Sequence, residues 1–264
     1  MENIPTYEVY AIKYAEIDRH RRENFIRGDQ HDGPMPMDFF IWVIKRGSTV
    51  VLVDTGFSHE EAALRGRSIL RCPIDGLSDI GVDAAQINDA VLTHLHYDHA
   101  GNIDKLPSAT FHLQESEMSF ATGRCMCFPA FRFAYTAEHV ATLIHRLYAD
   151  RVSLHSGAWQ LYPGIEIEHI GGHTAGLQIV RVHTEAGWVV LASDAAHYYE
   201  NFESERPFPL VHDVERMLIG QRKLAEYAAR GEAVIPGHDP LVMERYTKLP
   251  EHRHIVRLDI SASH

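Results

Sequence analysis

The 264-residue sequence lacks the features that would carry a protein across a membrane or onto nucleic acid. No apolar run approaches the ~20 residues that a bilayer-spanning helix needs. The N-terminus, with Glu2, Glu8, Lys13 and Glu16, has no apolar segment of the signal-peptide kind. Positive charge is in deficit: 25 Lys and Arg stand against 36 Asp and Glu, a formal net charge of -11. That balance argues against nucleic acid or an anionic membrane as a partner. Cysteine is scarce. Cys72, Cys125 and Cys127 make no disulfide framework, and a low, odd count fits a reducing, cytoplasmic location. Cys125-Met126-Cys127 has no second pair and reads as packing. Short repeats and low-complexity stretches are also missing. What remains, 45% hydrophobic and 23% charged residues, is the composition of a soluble globular chain with a substantial core.

Histidine is in excess, with 19 residues. Three of them sit with one aspartate in the stretch Thr93-His94-Leu95-His96-Tyr97-Asp98-His99-Ala100-Gly101. The apolar run Asp89-Ala90-Val91-Leu92 before it reads as a strand, and Gly101-Asn102 after it as a break. His94 and His96 are two apart, so on an extended backbone they point the same way. Asp98 and His99 lie past the bend and face a second centre. Neutral imidazoles and a carboxylate suit borderline divalent metals such as zinc.

In chain order, residues 7–14 alternate as a first strand. Residues 18–38 read as a long loop, either a lid in which Phe25, Met35 and Met37 supply an apolar wall or a solvated, disordered stretch. Strands follow at 39–44 and 49–53, the second ending in Asp54-Thr55-Gly56, where an aspartate at a strand terminus can orient a metal ligand. Ser58 with Glu61 reads as a capping box, and Asp83 with Gln86 as a similar opening. Beyond a strand at 109–113, residues 114–150 form a helical, aromatic insertion. In it Thr136 caps a helix whose apolar stripe is Val140, Leu143, Ile144, Leu147 and Tyr148. The aromatics Phe128, Phe131, Phe133 and Tyr135 line a pocket, an oligomer contact or the core.

Two hairpins come next, 159–170 and 177–192. Between them lies Gly171-Gly172-His173-Thr174-Ala175-Gly176, whose small residues let backbone approach a ligand closely. The second hairpin ends at Ser193-Asp194. Asp213 caps a helix with Val214, Met217, Leu218, Leu224 and Ala228 on one face, and Gly231 ends it. A strand at 232–235 leads to Pro236-Gly237-His238-Asp239, and the tail after Ile260 is expected to fray.

Five loops that follow strands thus carry metal-type residues: Asp54, the 94–99 cluster, His173, Asp194 and His238. This order resembles the metallo-β-lactamase superfamily over nearly the whole chain. The resemblance implies one domain over residues 1–264, an αββα sandwich of two mixed β-sheets with helices on both outer faces. It implies two divalent metal ions, zinc by default and iron, manganese or cobalt as alternatives. His94, His96 and His173 would hold the first; Asp98, His99 and His238 the second; Asp194 would bridge them, with Asp54 behind the ligands. Two such cations ~3.5–4 Å apart clamp a water and lower its pKa toward neutrality. A bridging hydroxide would then attack a carbonyl, with Asp98 ferrying the proton to the leaving group.

Within the superfamily the chain is most similar to the N-acyl-homoserine lactone lactonases. The similarity lies in Pro36-Met37-Asp38-Phe39-Phe40, the 94–101 cluster, Ser193-Asp194-Ala195 followed by Glu200-Asn201-Phe202-Glu203, and Gly237-His238-Asp239. It departs in two places. The family tyrosine three residues after the bridging aspartate is here His197, followed by Tyr198 and Tyr199, and Gly176 is followed by Leu177 rather than histidine. His197 and Tyr198 are therefore the candidates for contact with the substrate beside Asp98. The expected activity is lactone ring opening, with N-acyl-homoserine lactone as substrate, and a homodimer is implied by the resemblance alone. The alternative is a hydrolase of another small lactone, ester, amide or thioester. A glyoxalase II is disfavoured because few residues follow His238. A nuclease would want a basic groove, and a non-catalytic metal module would not keep every ligand.

Overall fold

The structure, a computed structural model, describes residues 4–260. The tail expected to fray after Ile260 lies outside the described residues. Two sheets pack face to face. The first holds β1 (Glu8–Ile17), β2 (Met37–Arg46), β3 (Thr49–Val53), β4 (Ser68–Ile69), β5 (Asp89–Val91), β6 (Thr110–Gln114) and β7 (Val152–His155). The second holds β8 (Trp159–Tyr162), β9 (Ile165–His169), β10 (Gln178–Thr184), β11 (Gly187–Ser193) and β12 (Ala233–Pro236). Two late strands, β13 (Thr247–Lys248) and β14 (Ile255–Arg257), return to the first sheet, giving the order β13-β14-β1-β2-β3-β5-β6-β7 with β4 on β1. Both sheets are mixed. β3, β5, β6 and β7 run parallel, as do β11 and β12, while the other pairs are antiparallel.

Strand alternation builds the layers. On β2, Phe40, Trp42 and Ile44 face the second sheet's Ile165, Ile167, Val182 and Leu191 in one core. Their neighbours Phe39, Ile41 and Val43 face the opposite core, with Ala62 of α1 (His59–Arg65) and Leu143 of α4 (Ala137–Tyr148). Successive side chains on a strand point to opposite faces, so both faces of β2 are apolar because both are covered. Between α1 and α4 come α2 (Glu115–Thr122) and α3 (Pro129–Arg132); α5 (Tyr199–Glu203), α6 (Val214–Ala229) and α7 (Leu241–Arg245) follow. α6 covers the outer face of the second sheet. Its Lys223 and Tyr227 bond Glu168 of β9, and Arg216 Nε donates to Ile170 O at 2.8 Å. The sandwich with helices on both outer faces is as the resemblance implied. No helix among the described residues is long and apolar enough to cross a membrane.

Several local expectations need correction. Residues 18–36 form a pinned loop rather than a solvated one. Arg21 reaches Glu200 at 2.7 Å and Arg206 reaches Asp29 at 2.9 Å. Phe25 packs beneath the Arg206 guanidinium instead of forming a cavity wall. Ser58 Oγ does cap α1 by accepting from Glu61 N at 3.2 Å, but the Glu61 carboxylate turns to Arg65 and Thr136. Thr136 spends its hydroxyl on that carboxylate and makes no side-chain cap to α4. On α4, Tyr148 is 88% exposed, because the stripe outruns the surface beneath it. On α6 the buried face is Met217, Gly220, Gln221, Leu224 and Tyr227, with Val214 and Ala228 exposed.

Trp42→Ala is expected to cost about 3–5 kcal/mol, since it empties the space between the sheets. Tyr148→Ala should stay within about 0.5 kcal/mol. Urea unfolding of both variants measures the contrast.

Candidate metal centre

The cluster is presented by the end of β5. Backbone strain marks the two neighbouring strand ends: Asp54 has φ 61° and Ser193 φ 46°, both in the left-handed region. These turns aim Asp54 and Asp194 at the cluster from β3 and β11. Asp54 accepts from Thr93 N at 2.7 Å and from Thr93 Oγ1 at 2.8 Å, and its Oδ2 lies 2.7 Å from His99 Nδ1. The second sheet is tied in where Gln178 N donates to Thr93 O (3.0 Å) and Gln178 Nε2 to Leu92 O (2.9 Å). This brings the 171–176 loop beside the cluster.

Seven side chains, all buried, then converge. His173 Nε2 lies 2.9 Å from His96 Nδ1 and 3.1 Å from Asp194 Oδ2, with His94 Nε2 3.8 Å from the same oxygen. On the other side, His238 Nε2 is 3.1 Å and His99 Nε2 3.3 Å from Asp194 Oδ1, and Asp98 Oδ2 is 3.6 Å from His99 Nε2. One Asp194 oxygen therefore faces His94, His96 and His173, and the other faces His99 and His238, which also group with Asp98.

The donor set fits two divalent cations on its own chemistry. His94 Nε2 and His99 Nε2 are buried with no hydrogen-bond partner, a costly state for a polar atom unless something else engages it. His173 Nδ1 faces Leu210 O at 2.7 Å and His238 Nδ1 faces Asp38 O at 2.8 Å. Donation to these carbonyls leaves each Nε2 as a lone pair directed inward. Burial, then the neighbouring His99 and His96, pushes His94 well below the usual range, and burial with His173 does the same to His96. Both rings are thus in the neutral form that ligates. Burial opposes ionisation of Asp194, but His197, His99, His238 and His173 around it hold its carboxyl well below the usual range.

The centre lies at the bottom of a cavity of about 370 Å³. Its walls come from Met37 and Phe39 of β2, Phe131 and Phe133 of the helical insertion, and the segment Phe208–His212. Of the four aromatics in question, Phe131 and Phe133 line the cavity, Phe128 is 57% exposed, and Tyr135 is buried edge-on to His96. His197 is in the cavity wall. Its ring stacks on Phe208 at 3.8 Å, its Nε2 is 3.1 Å from Asp194 Oδ2, and its Nδ1 has no partner. Tyr198 is a correction. Its side chain turns away from the cavity toward the carbonyls of Pro36 (3.3 Å) and Met35, where it braces the 18–36 loop.

Glu117 of α2 was not anticipated. This fully buried carboxylate accepts from Leu95 N, Tyr135 OH, Thr174 Oγ1 and Gly176 N at 2.6–3.0 Å. It joins the cluster loop to the His173 loop. The glycines of that second loop serve this packing rather than a ligand: a Cβ on Gly176 would meet Glu117 N at 2.3 Å, and one on Gly172 would meet Met217 N at 2.6 Å. A separate trio, Asp79, His252 and His254, also converges, but Arg71 Nη1 at 3.1 Å already supplies Asp79 with a fixed cation.

Fold and site together define a metallo-β-lactamase-type protein. The sequence matches the metallo-beta-lactamase superfamily over residues 40–238, and the chain belongs to that family. An N-acyl homoserine lactonase of a Bacillus species is 28% identical over 179 residues, 67% of this chain and 65% of that protein. The chain therefore spans about two thirds of the length of that relative. The N-acyl homoserine lactonase AttM of Agrobacterium fabrum is 28% identical over 257 residues, 85% of this chain and 90% of that one. Among solved structures, an N-acyl homoserine lactone hydrolase with the product N-hexanoyl-L-homoserine at its catalytic metal centre superposes with a TM-score of 0.78. That pair shares 21% identity over 94% of this chain and 100% of the other. AidC, a dizinc quorum-quenching lactonase, gives 0.69 at 19% identity over 90% and 89%.

Asp98→Ala should lower the metal content of the purified protein from about two ions to about one, with the circular dichroism spectrum unchanged. Glu117→Ala strands four donors and should destabilise the fold by roughly 2 kcal/mol or more. Inductively coupled plasma analysis and urea unfolding check the two outcomes.

Proposed function

We propose that this protein is a dinuclear metal-dependent hydrolase that opens the ring of a lactone, with N-acyl-homoserine lactones as the substrate class. The observation that carries the reading is Asp194, which offers one oxygen to each of two histidine groups at the bottom of a cavity partly walled by aromatic side chains. Relatives named N-acyl homoserine lactonase, and a structural neighbour holding an acyl-homoserine product at its metal centre, support the same substrate class. His94, His96, His173, Asp98, His99 and His238, with Asp194 between them, would hold the two ions, zinc by default. When bound, such ions polarise a carbonyl and supply a nucleophile at neutral pH.

The chain's own groups do the rest. Asp54 and the carbonyls of Leu210 and Asp38 fix the imidazoles, so the site is preorganised before substrate arrives. Phe39, Phe131 and Phe208 keep bulk water from the reacting carbonyl. Asp98 lines the cavity and would carry a proton to the leaving ring oxygen. His197 lines the cavity with its Nε2 3.1 Å from Asp194 Oδ2, where its ring would meet the substrate, and burial pushes it down to about 3 against the pull of Asp194. The three cysteines are free, in keeping with work in a reducing cytoplasm.

Proton release from a panel of acyl-homoserine lactones, γ- and δ-lactones and simple esters tests the reading. Turnover of homoserine lactones, abolished by chelation and restored by zinc, is the expected result. Ester or thioester turnover without lactone turnover would move the substrate class. His197→Phe should lower kcat/KM roughly tenfold, and His197→Tyr, which restores a donor, should recover most of it.

A further inference from the structure

The cavity that would receive the acyl arm is not apolar throughout. Three arginines line it: Arg19, Arg65 and Arg67. They differ in what holds them. Arg65 is saturated, with Nε on the Glu61 carboxylate, Nη1 on Phe133 O at 2.6 Å, and Nη2 on Thr136 Oγ1 at 3.1 Å. Arg67 has no carboxylate partner among the described residues. Its Nε donates to Tyr97 OH at 3.0 Å and its Nη1 to Arg65 O at 2.9 Å. Arg19 likewise pairs with no carboxylate there. Its Nε donates to Asn24 Oδ1, its Nη2 donates to Glu23 O at 2.8 Å, and its guanidinium lies 5.2 Å from the Phe208 ring.

Topology brings the two chain segments that carry these cations side by side. β4 pairs antiparallel with the end of β1, Ser68 opposite Glu16 and Ile69 opposite Ala15. The chain leaving β1 toward Arg19 therefore runs beside the chain entering β4 from Arg67. The acidic groups facing this part of the cavity are Glu23 and the centre's own Asp98 and Asp194. Glu23 is exposed, and its Oε2 accepts from His20 N at 2.7 Å, back within its own turn. Asp98 and Asp194 belong to the metal centre.

We propose that the cavity is built for an acyl arm that ends in a carboxylate, bound by Arg67 with Arg19 beside it. The proposal rests on the lactonase reading and names the substrate class within it. A plain alkyl arm would cover an unpaired guanidinium and strip its water without replacing the lost hydrogen bonds, which is costly. A carboxylate arm replaces them with charge-assisted ones. Tyr97 and the Arg65 carbonyl already hold the Arg67 fork by two of its three nitrogens, so little side-chain freedom is lost when the third nitrogen finds a partner.

The test compares N-glutaryl- with N-hexanoyl-homoserine lactone, arms of similar length that differ in the terminal carboxylate, on the zinc-loaded protein. The readout is the ratio of their kcat/KM values, which cancels any general damage to the centre. The ratio is expected to favour the glutaryl compound by roughly tenfold or more. Arg67→Ala should erase that preference through KM, and Arg67→Lys should keep part of it. A ratio at or below one in the unmodified protein, or one that Arg67→Ala leaves unchanged, overturns the proposal.

Failure to open either lactone would instead reject the lactonase reading. The arginine assignment is then decided by calorimetry with the ring-opened N-glutaryl- and N-hexanoyl-homoserines. Tighter binding of the glutaryl compound that is lost in Arg67→Ala supports it. Equal binding of the two, or binding of neither, overturns it.

Discussion

One buried carboxylate, Asp194, is shared by everything else in the site. It sits at the end of β11 on a strained turn, and each of its oxygens faces a different set of imidazoles. A carboxylate in that position is stable only if cationic or hydrogen-bonding groups surround it. The chain meets this need with His94 and His173 on one side, His99 and His238 on the other, and His197 at the cavity wall. Each of these comes from a loop after a strand, and the two sheets must pack in register for the loops to meet. The link from Gln178 to Thr93 and Leu92 carries that register from one sheet to the other.

The supports behind the ligands are as specific as the ligands. Asp54 holds His99 and Thr93, and Thr93 Oγ1 reaches Ser193 Oγ at 2.9 Å, beside Asp194. Glu117 clamps the loops of the first imidazole set from behind, while Leu210 and Asp38 offer carbonyls to His173 and His238. Imidazoles fixed in this way lose little freedom when they bind an ion, which raises affinity and sets the geometry. The consequence is a rigid centre at the base of a cavity whose walls come from β2, the helical insertion and the Phe208 segment.

Much of this was legible in the sequence because the governing signals are local. Two histidines two apart at a strand end, an aspartate before a glycine, and alternating apolar runs each depend on neighbours in the chain. The strands, the hairpins, the Asp213 cap and the convergence of the seven candidate ligands follow from such signals. What stayed hidden depends on distant partners. Glu117 looks like any first-turn glutamate until Leu95, Thr174 and Gly176 are folded around it. Thr136 has the position and residue type of a cap, but Glu61, 75 residues away, takes its hydroxyl. Tyr198 follows His197 directly, yet its side chain departs toward Pro36. The short strands β13 and β14 carry too few residues for a periodicity to show, and they exist because β1 offers an edge.

The central claim is that two metal ions share Asp194. Anomalous scattering at the zinc edge from crystals of the zinc-loaded protein measures it directly. The account predicts two peaks about 3.5–4 Å apart, one against His94, His96 and His173 and the other against Asp98, His99 and His238, with Asp194 between them. A single peak, or two peaks with Asp194 bound to only one, would contradict it.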